Sequence, residues 1–297
     1  MKILITGGGG YLGTVLVRRL LPDHDVTVLD RFSWGTQPLT SVATTGLQVY
    51  AGSVADPQAV EQAIRGQDVV VHLAGIVGYP ACDANPADAD ATNVEGTRLV
   101  CALAHTFDLP VIFASTGSTY GKVEGEATED TPVSPLTRYG RNKAEGERLV
   151  LAVGGTVLRF ATLYGLSPRM RWDLLPNTFA RLGVQGELRV YDPEARRTFL
   201  HVEDAAEALC MVLDSPLPTG VYNVGDPAQN LSKHAVARAV RRLTGCTLLP
   251  MDGHDPDERD YTVNYDKFRA AIGWFAQYPF DLTDVVQFAR VWREPQP

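Results

Sequence analysis

A chain of 297 residues is long enough for one large α/β domain, or for a main domain with a smaller lobe, and its 45% apolar and 21% charged content is that of a soluble globular protein. The formal net charge of −8 excludes a polyanion such as nucleic acid as the main ligand. No segment approaches the roughly 20 apolar residues of a membrane span, and the opening apolar run breaks into glycines too early for a secretory leader. Cys82, Cys101, Cys210 and Cys246 are scattered, which is neither a disulfide framework nor a zinc pattern and points to reduced thiols in a cytoplasmic protein.

Lys2–Thr6 is a short apolar run ending at glycines and reads as a buried strand. Leu12, Val15, Leu16, Leu20 and Leu21 then recur at helical spacing. Further strands are predicted at Asp25–Asp30, Leu47–Ala51, 68–73, 111–114 and Thr156–Phe160, all rich in β-branched or apolar residues. Helical patterns lie between them at Pro57–Ile64, 87–107 and 139–153. This alternation predicts a Rossmann-like, doubly wound parallel sheet covered on both faces. Beyond Gly165 a helix at 174–182 sits among Arg-rich loops, followed by a helix at 202–213 and a strand at 221–224. Ser232 is an N-cap for a helix running to Leu243, and a last helix lies near 282–292. The division expected is residues 1–165, with 198–225 returning, as the dinucleotide-binding domain, and 166–197 with 226–297 as a smaller C-terminal substrate-binding lobe.

The turn Thr6-Gly7-Gly8-Gly9-Gly10-Tyr11-Leu12-Gly13 joins the first strand to the first helix. Gly7 permits the tight turn, Gly10 the approach of a pyrophosphate and Gly13 close seating of the helix on the sheet, while the helix N-terminus offers free N–H groups to the anion. Asp30 closes the second strand at the distance where a carboxylate meets the adenosine ribose, and its charge favours NAD over NADP. Arg31 follows it and would offset that repulsion.

Tyr139-Gly140-Arg141-Asn142-Lys143 places Tyr and Lys four apart, on one face of a helix. A phenol near pKa ~10 is a poor base at neutral pH, and a nearby ammonium lowers it. The run Phe113-Ala114-Ser115-Thr116-Gly117-Ser118-Thr119-Tyr120-Gly121 follows the fifth strand, so its hydroxyls lie at a carboxyl end, where open α/β sheets bind ligands. Thr116 or Ser118 is placed to hydrogen-bond the reacting oxygen.

The set resembles the extended short-chain dehydrogenase/reductases that modify nucleotide sugars. Matching pieces run along nearly the whole chain: the glycine turn, Leu29-Asp30, residues 52–56, His72-Leu73-Ala74-Gly75, Asn93-Val94-Glu95-Gly96-Thr97, residues 115–121, Tyr139 and Lys143, residues 158–165 and 197–204, Arg259, and Gly273-Trp274. The resemblance implies that Thr116, Tyr139 and Lys143 are catalytic, with Tyr139 the base. It implies an NAD site lined by Gly7, Gly10, Tyr11, Leu12, Asp30, Arg31, Ser53, Val54, Leu73, Ala74 and Gly75, with Tyr139 and Lys143 at its far end. Asn93 supports the active-site helix. Thr116, Ser118, Asn177, Arg197 and Arg259 would bind the substrate, a nucleotide-diphosphate sugar, two arginines suiting its diphosphate. The family's helices corresponding to 87–107 and 139–153 pair in a homodimer. Two positions depart from the pattern: Ser53 replaces an acid, and Asn142 stands where Ser is commoner.

The shared first step of that family is removal of a sugar hydroxyl proton, commonly at C4, with hydride transfer to NAD and formation of a keto sugar. Dehydratases carry acids just after the catalytic Thr, where this chain has Gly117 and Ser118; decarboxylases carry Glu, and C3/C5 epimerases Cys, at the second of these positions. The expectation is therefore 4-epimerisation, with a nucleotide-sugar ketoreductase or dehydrogenase as the second reading and a non-catalytic dinucleotide binder as the third. His201 and Asp204 offer metal-ligand types but match a structural helix start, so no metal site is expected.

Overall fold

The computed structural model describes residues 1–41, 46–251 and 258–292, so residues 252–257 and 293–297 of the expected second lobe lie outside the described residues. In Lys2–Thr6 every residue after Lys2 is buried, and all of Val69–His72 and Thr156–Phe160 is buried, as strands covered on both faces require. Alternate side chains serve opposite layers. Ile3 and Ile5 share a core with Val15, Leu16, Leu209 and Val212, whereas Leu4 joins Val60, Val100, Leu149 and Val150. Helices Tyr11–Leu20 and Val202–Asp214 thus cover one face, and Pro57–Ile64, Gly96–Thr106 and Arg138–Ala152 the other.

The main sheet has seven strands in the order Gly220–Val224, Thr156–Phe160, Val111–Thr116, Val69–His72, Lys2–Thr6, Asp25–Asp30, Leu47–Ala51. Every neighbouring pair is parallel. The order reverses between Lys2–Thr6 and Val69–His72, which makes the crevice above their carboxyl ends the topological switch point, where such sheets bind ligands. The Gly7–Gly10 turn and the 73–78 loop leave the sheet at that crevice.

Three smaller sheets escaped the hydrophobic pattern. Lys122–Ala127 pairs with Asp260–Val263, Glu187–Val190 with Thr247–Pro250, and Arg196–His201 with both Thr162–Tyr164 and Asn230–Ser232. These strands are short and carry Lys, Glu and Arg, and their partners are distant in sequence, so period-two patterning gives little signal. A separate core of Phe179, Leu188, Phe199, Val236, Val240 and Val286 lies among them. Phe268 and Trp274 belong instead to the core of the main sheet, so the segment after 226 contributes to both cores.

The helix expected over 87–107 is interrupted. Pro86–Asp90 and Gly96–Thr106 are α-helical, and Ala91–Glu95 between them is a π-helical turn. The extra residue in that turn accompanies a specific contact: Asn93 accepts from Ile76 N at 2.7 Å and donates to Ile76 O at 2.8 Å. Its amide therefore replaces a strand partner for the loop that lines the crevice. The fifth strand extends to Thr116, two residues further than expected, which places Thr116 at the strand's end.

Candidate active site

The glycine turn is shaped by its own backbone. Gly7 has φ of +76°, and a Cβ there would lie 2.7 Å from Ala74 N. A Cβ on Gly13 would meet Gly7 O at 2.3 Å. Gly13 therefore allows the helix to seat on the turn, rather than on the sheet as its place in the motif suggested. Leu73 N donates to Thr6 O at 3.0 Å, so the two loops at the crevice are joined. Gly75 lies beside Asn93 Oδ1, and a Cβ on it would be 3.9 Å from Lys143 Nζ.

Asp30 reaches back to this turn. One carboxylate oxygen accepts from Gly9 N at 2.9 Å and the other from Phe32 N at 2.7 Å. A carboxylate has further acceptor sites, so Asp30 can fix the turn and still receive ribose hydroxyls. Arg31 is drawn away into an ion pair with Asp88 at 2.8 Å. Its charge is thus engaged elsewhere than the offset to Asp30 that its sequence position suggested. Ser53 Oγ accepts from Ala55 N at 3.1 Å, Val54 is buried beneath Gly96, and Leu12 is half-buried. A cradle that Cβ atoms would fill, a helix N-terminus and a carboxylate at the second strand's end together fit a dinucleotide, with the acid favouring a free 2′-hydroxyl.

At the other end, helix Arg138–Ala152 is capped by Thr137, whose side chain accepts from Gly140 N at 3.1 Å. A Cβ on Gly140 would lie 3.2 Å from Ser118 O, so this helix start abuts the hydroxyl loop. Thr116 Oγ1 accepts from Ser118 N at 3.1 Å and donates to Ser118 Oγ at 3.1 Å. Arg259 donates to the same Ser118 hydroxyl. The structure therefore joins Thr116, Ser118 and Arg259, residues from two distant segments.

Lys143 is buried, donates to Ala114 O at 2.7 Å and rests its ammonium 4.4 Å from the centre of the Phe113 ring. Burial lowers its pKa to about 8, against the opposing charge of Glu147. One helical turn further, Glu147 accepts from Ser115 Oγ and forms a two-pronged ion pair with Arg159, at 2.9 and 2.6 Å. Both partners are about 5% exposed (5% and 6%). Arg159 also covers the Tyr120 ring at 4.8 Å, and Tyr120 donates to Asn223 at 2.7 Å. This network ties helix Arg138–Ala152 to three parallel strands.

Tyr139 is half-buried at the start of the same helix. Burial pushes its hydroxyl up to about 12, and the cations that work against burial are Arg171 first and Arg259 second. Lys143 is turned to the Ala114 carbonyl. Cys82 and Tyr261 act on Tyr139 in the same direction as burial. Arg171, which the sequence-based site assignment left out, lies close enough to act on Tyr139. It stands in an Arg-rich loop with no helical or strand periodicity, and only its place just beyond a strand's carboxyl end could have signalled it. It pairs with Asp173.

Asn177 and Tyr11 are committed to architecture. Tyr11 OH donates to Gly165 O at 2.7 Å. Asn177 accepts from Gly165 N at 3.3 Å and donates to Arg171 O at 3.0 Å and to Tyr11 OH at 3.3 Å. Its side chain is fully buried, so it holds the 165–171 segment against the helix start rather than presenting an amide to a diphosphate. Arg197 is buried and donates to Arg196 O at 2.9 Å. His201 and Asp204 have structural duties: His201 Nδ1 accepts from Glu203 N, and Asp204 accepts from Gln277 N and Tyr278 N.

The profile of the NAD dependent epimerase/dehydratase family matches residues 3–225. The UDP-N-acetyl-alpha-D-glucosaminuronate decarboxylase of Bacillus cytotoxicus is 30% identical, over 90% of this chain and 87% of its own length. The UDP-glucose 4-epimerase of Lactobacillus helveticus is 26% identical over 100% of this chain and 98% of that protein. Among solved structures, DesIV, a dTDP-glucose 4,6-dehydratase from Streptomyces venezuelae with NAD bound, superimposes with a TM-score of 0.88 at 25% identity, covering 98% of this chain and 97% of that one. Three different reactions are thus represented at similar distance.

Proposed function

Because the chain belongs to the NAD dependent epimerase/dehydratase family, as an NAD-dependent enzyme of the extended short-chain dehydrogenase/reductase kind whose relatives act on nucleotide sugars, we propose that it epimerises a nucleotide-diphosphate sugar at C4 through a transient keto sugar. NAD supplies the acceptor and donor of the electron pair. Tyr139 takes the proton from the reacting hydroxyl and later returns it. Thr116 and Ser118 hold that oxygen, and Lys143 holds the cofactor's ribose. Arg171 and Arg259 favour the phenolate and receive negative charge on the substrate.

One observation carries this choice: the hydroxyl loop after Thr116 offers no carboxylate. Gly117 sits against the Tyr261 ring, 3.2 Å from where a Cβ would be, and Ser118 offers a hydroxyl that accepts from Thr116 and Arg259 and keeps its own proton to donate. The groups that act most on Tyr139 include two guanidiniums, a thiol and a phenol. Water elimination needs a further acid/base group beside the sugar ring, and this loop holds none. Redox at one carbon, followed by turnover of the keto sugar and reduction from its other face, needs only the residues present.

The test is a screen of UDP-, dTDP-, GDP- and CDP-sugars by chromatography for an epimer and by absorbance for NADH, with bound dinucleotide identified after heating the protein. Epimer without net NADH, from protein that retains NAD, is expected. Stoichiometric NADH from protein purified empty would replace this reading with a dehydrogenase. We also propose that residues 1–165 with 198–225 serve the cofactor, that 166–197 with 226–297 serve the sugar nucleotide, and that helices Gly96–Thr106 and Arg138–Ala152 pair between two copies. Their outer faces expose Ala102 and Ala152 among Arg98, Arg141 and Arg148, and light scattering reports the mass.

A further inference from the structure

Two arms leave opposite sides of the Gly8–Gly10 turn and meet above it. The first begins at Asp30, which folds the next residues back by accepting from Phe32 N at 2.7 Å. Phe32 takes a left-handed backbone with φ of 51°, and its ring lies against Gly9, where a Cβ would come within 2.9 Å of it. Trp34 follows and is 75% exposed, an unusual place for the largest apolar side chain. The second arm is the 165–171 segment. It is pinned to the first helix by Tyr11 OH on Gly165 O and by Ser167 Oγ, which donates to Tyr11 O at 2.7 Å and lies 3.1 Å from Thr14 Oγ1.

From this second arm Arg169 projects its guanidinium over the Trp34 ring, 4.5 Å from its centre. Arg169 is half-buried, and among the described residues no carboxylate forms an ion pair with it; Asp173 and then Asp30 act on it through space. Burial and neighbouring Arg171 both disfavour its charge. A cation kept under those conditions, at the start of a helix whose free N–H groups already attract an anion, is suited to a phosphate. The glycine turn below it is the dinucleotide's pyrophosphate cradle.

We infer that Trp34 and Arg169 form a clasp across the adenosine half of the dinucleotide site: Arg169 faces the pyrophosphate, and its stacking on Trp34 closes the crevice so that NAD is retained between turnovers. This contact bridges the two arms above the turn, so the cofactor leaves when it opens. This rests on the glycine turn as an NAD site and not on the sugar chemistry.

The experiment uses the full chain loaded with NAD. Release is followed by trapping freed NAD with an excess of an NAD-hydrolysing enzyme, and Trp34 fluorescence gives a second readout. Cation–π contacts of this kind predict release about three- to thirty-fold faster in Trp34→Ala. Arg169→Met should be at least as fast, Trp34→Phe should restore most of the retention, and the double variant should release no faster than the worse single one. Circular dichroism melts of the loaded and empty proteins check folding. Release rates within about twofold of the parent in both single variants, or additive effects in the double, would overturn the clasp. A protein that shows the predicted release rates but no epimerase activity would leave the clasp standing and the proposed reaction refuted; the converse result would do the opposite.

Discussion

The two ends of the crevice are built on different physical bases. At the adenosine end the determinants are local and made of backbone: a positive φ at Gly7, a Cβ-free seat at Gly13, and Asp30 holding Gly9 N and Phe32 N. At the reacting end they are side chains from distant segments held in low dielectric: Lys143 on Ala114 O, Glu147 between Ser115 and Arg159, and Arg171 and Arg259 acting on Tyr139. The first kind of site depends on shape and tolerates electrostatic change. The second depends on charge balance, because an unpaired buried charge is costly.

Four experiments would break or sharpen that contrast. The largest effect is expected from Tyr139→Phe, which removes one oxygen. Turnover should fall by about 10²–10⁴-fold while NAD affinity, measured by titration, stays near the parent's; loss of both together would place Tyr139 in the architecture instead. Next, Glu147→Ala leaves Arg159 as an uncompensated buried cation and should cost about 3–5 kcal/mol in denaturant unfolding. Glu203→Ala, which removes a partner of Arg18 and Arg19 at the protein surface, should cost about 1 kcal/mol or less. Equal costs would mean that the network under helix Arg138–Ala152 is no more desolvated than the surface cluster.

A smaller effect follows from Lys143. Its pKa lies near 8, below the ordinary lysine value, because burial disfavours the charged form. The ammonium is therefore present below pH 8 and is lost as pH rises through it. NAD affinity should be flat on the acid side of that midpoint and weaken above it, and Lys143→Met should remove the pH dependence. An unchanged profile in Lys143→Met would assign the titration to another group. Smallest is Asp30→Ala, which should narrow the preference for NAD over NADP in paired titrations without abolishing NAD binding, since the backbone cradle remains. A variant that binds neither dinucleotide would show that Asp30 is needed chiefly to fold the turn.

This division also explains what could be read from the chain alone. The glycine turn and Asp30 were legible because their meaning lies in short spacings next to a strand and a helix. Tyr139 and Lys143 were legible as a pair four apart, but their electrostatics were not: the charges that oppose the burial of Tyr139 come from residues 171 and 259, and Lys143 is diverted to a backbone carbonyl. Asn177 looked like a phosphate ligand by position, and its burial between Tyr11, Gly165 and Arg171 gives it another task. The central parallel strands announced themselves by nearly continuous apolar runs, and the edge strand Leu47–Ala51 by a weaker, half-exposed one. Lys122–Ala127 did not, because it is polar and its partner begins at Asp260.

The most direct measurement of the proposed chemistry is to run the reaction in deuterium oxide and locate solvent deuterium in the sugar by mass spectrometry and NMR. A site that performs redox at C4 alone returns the same hydrogen to carbon, so the product should be a C4 epimer with no deuterium on any carbon and no change in mass. Deuterium at C3 or C5, or a product lacking water or carbon dioxide, would contradict it, since each requires making or breaking a bond that a C4 epimerase leaves untouched.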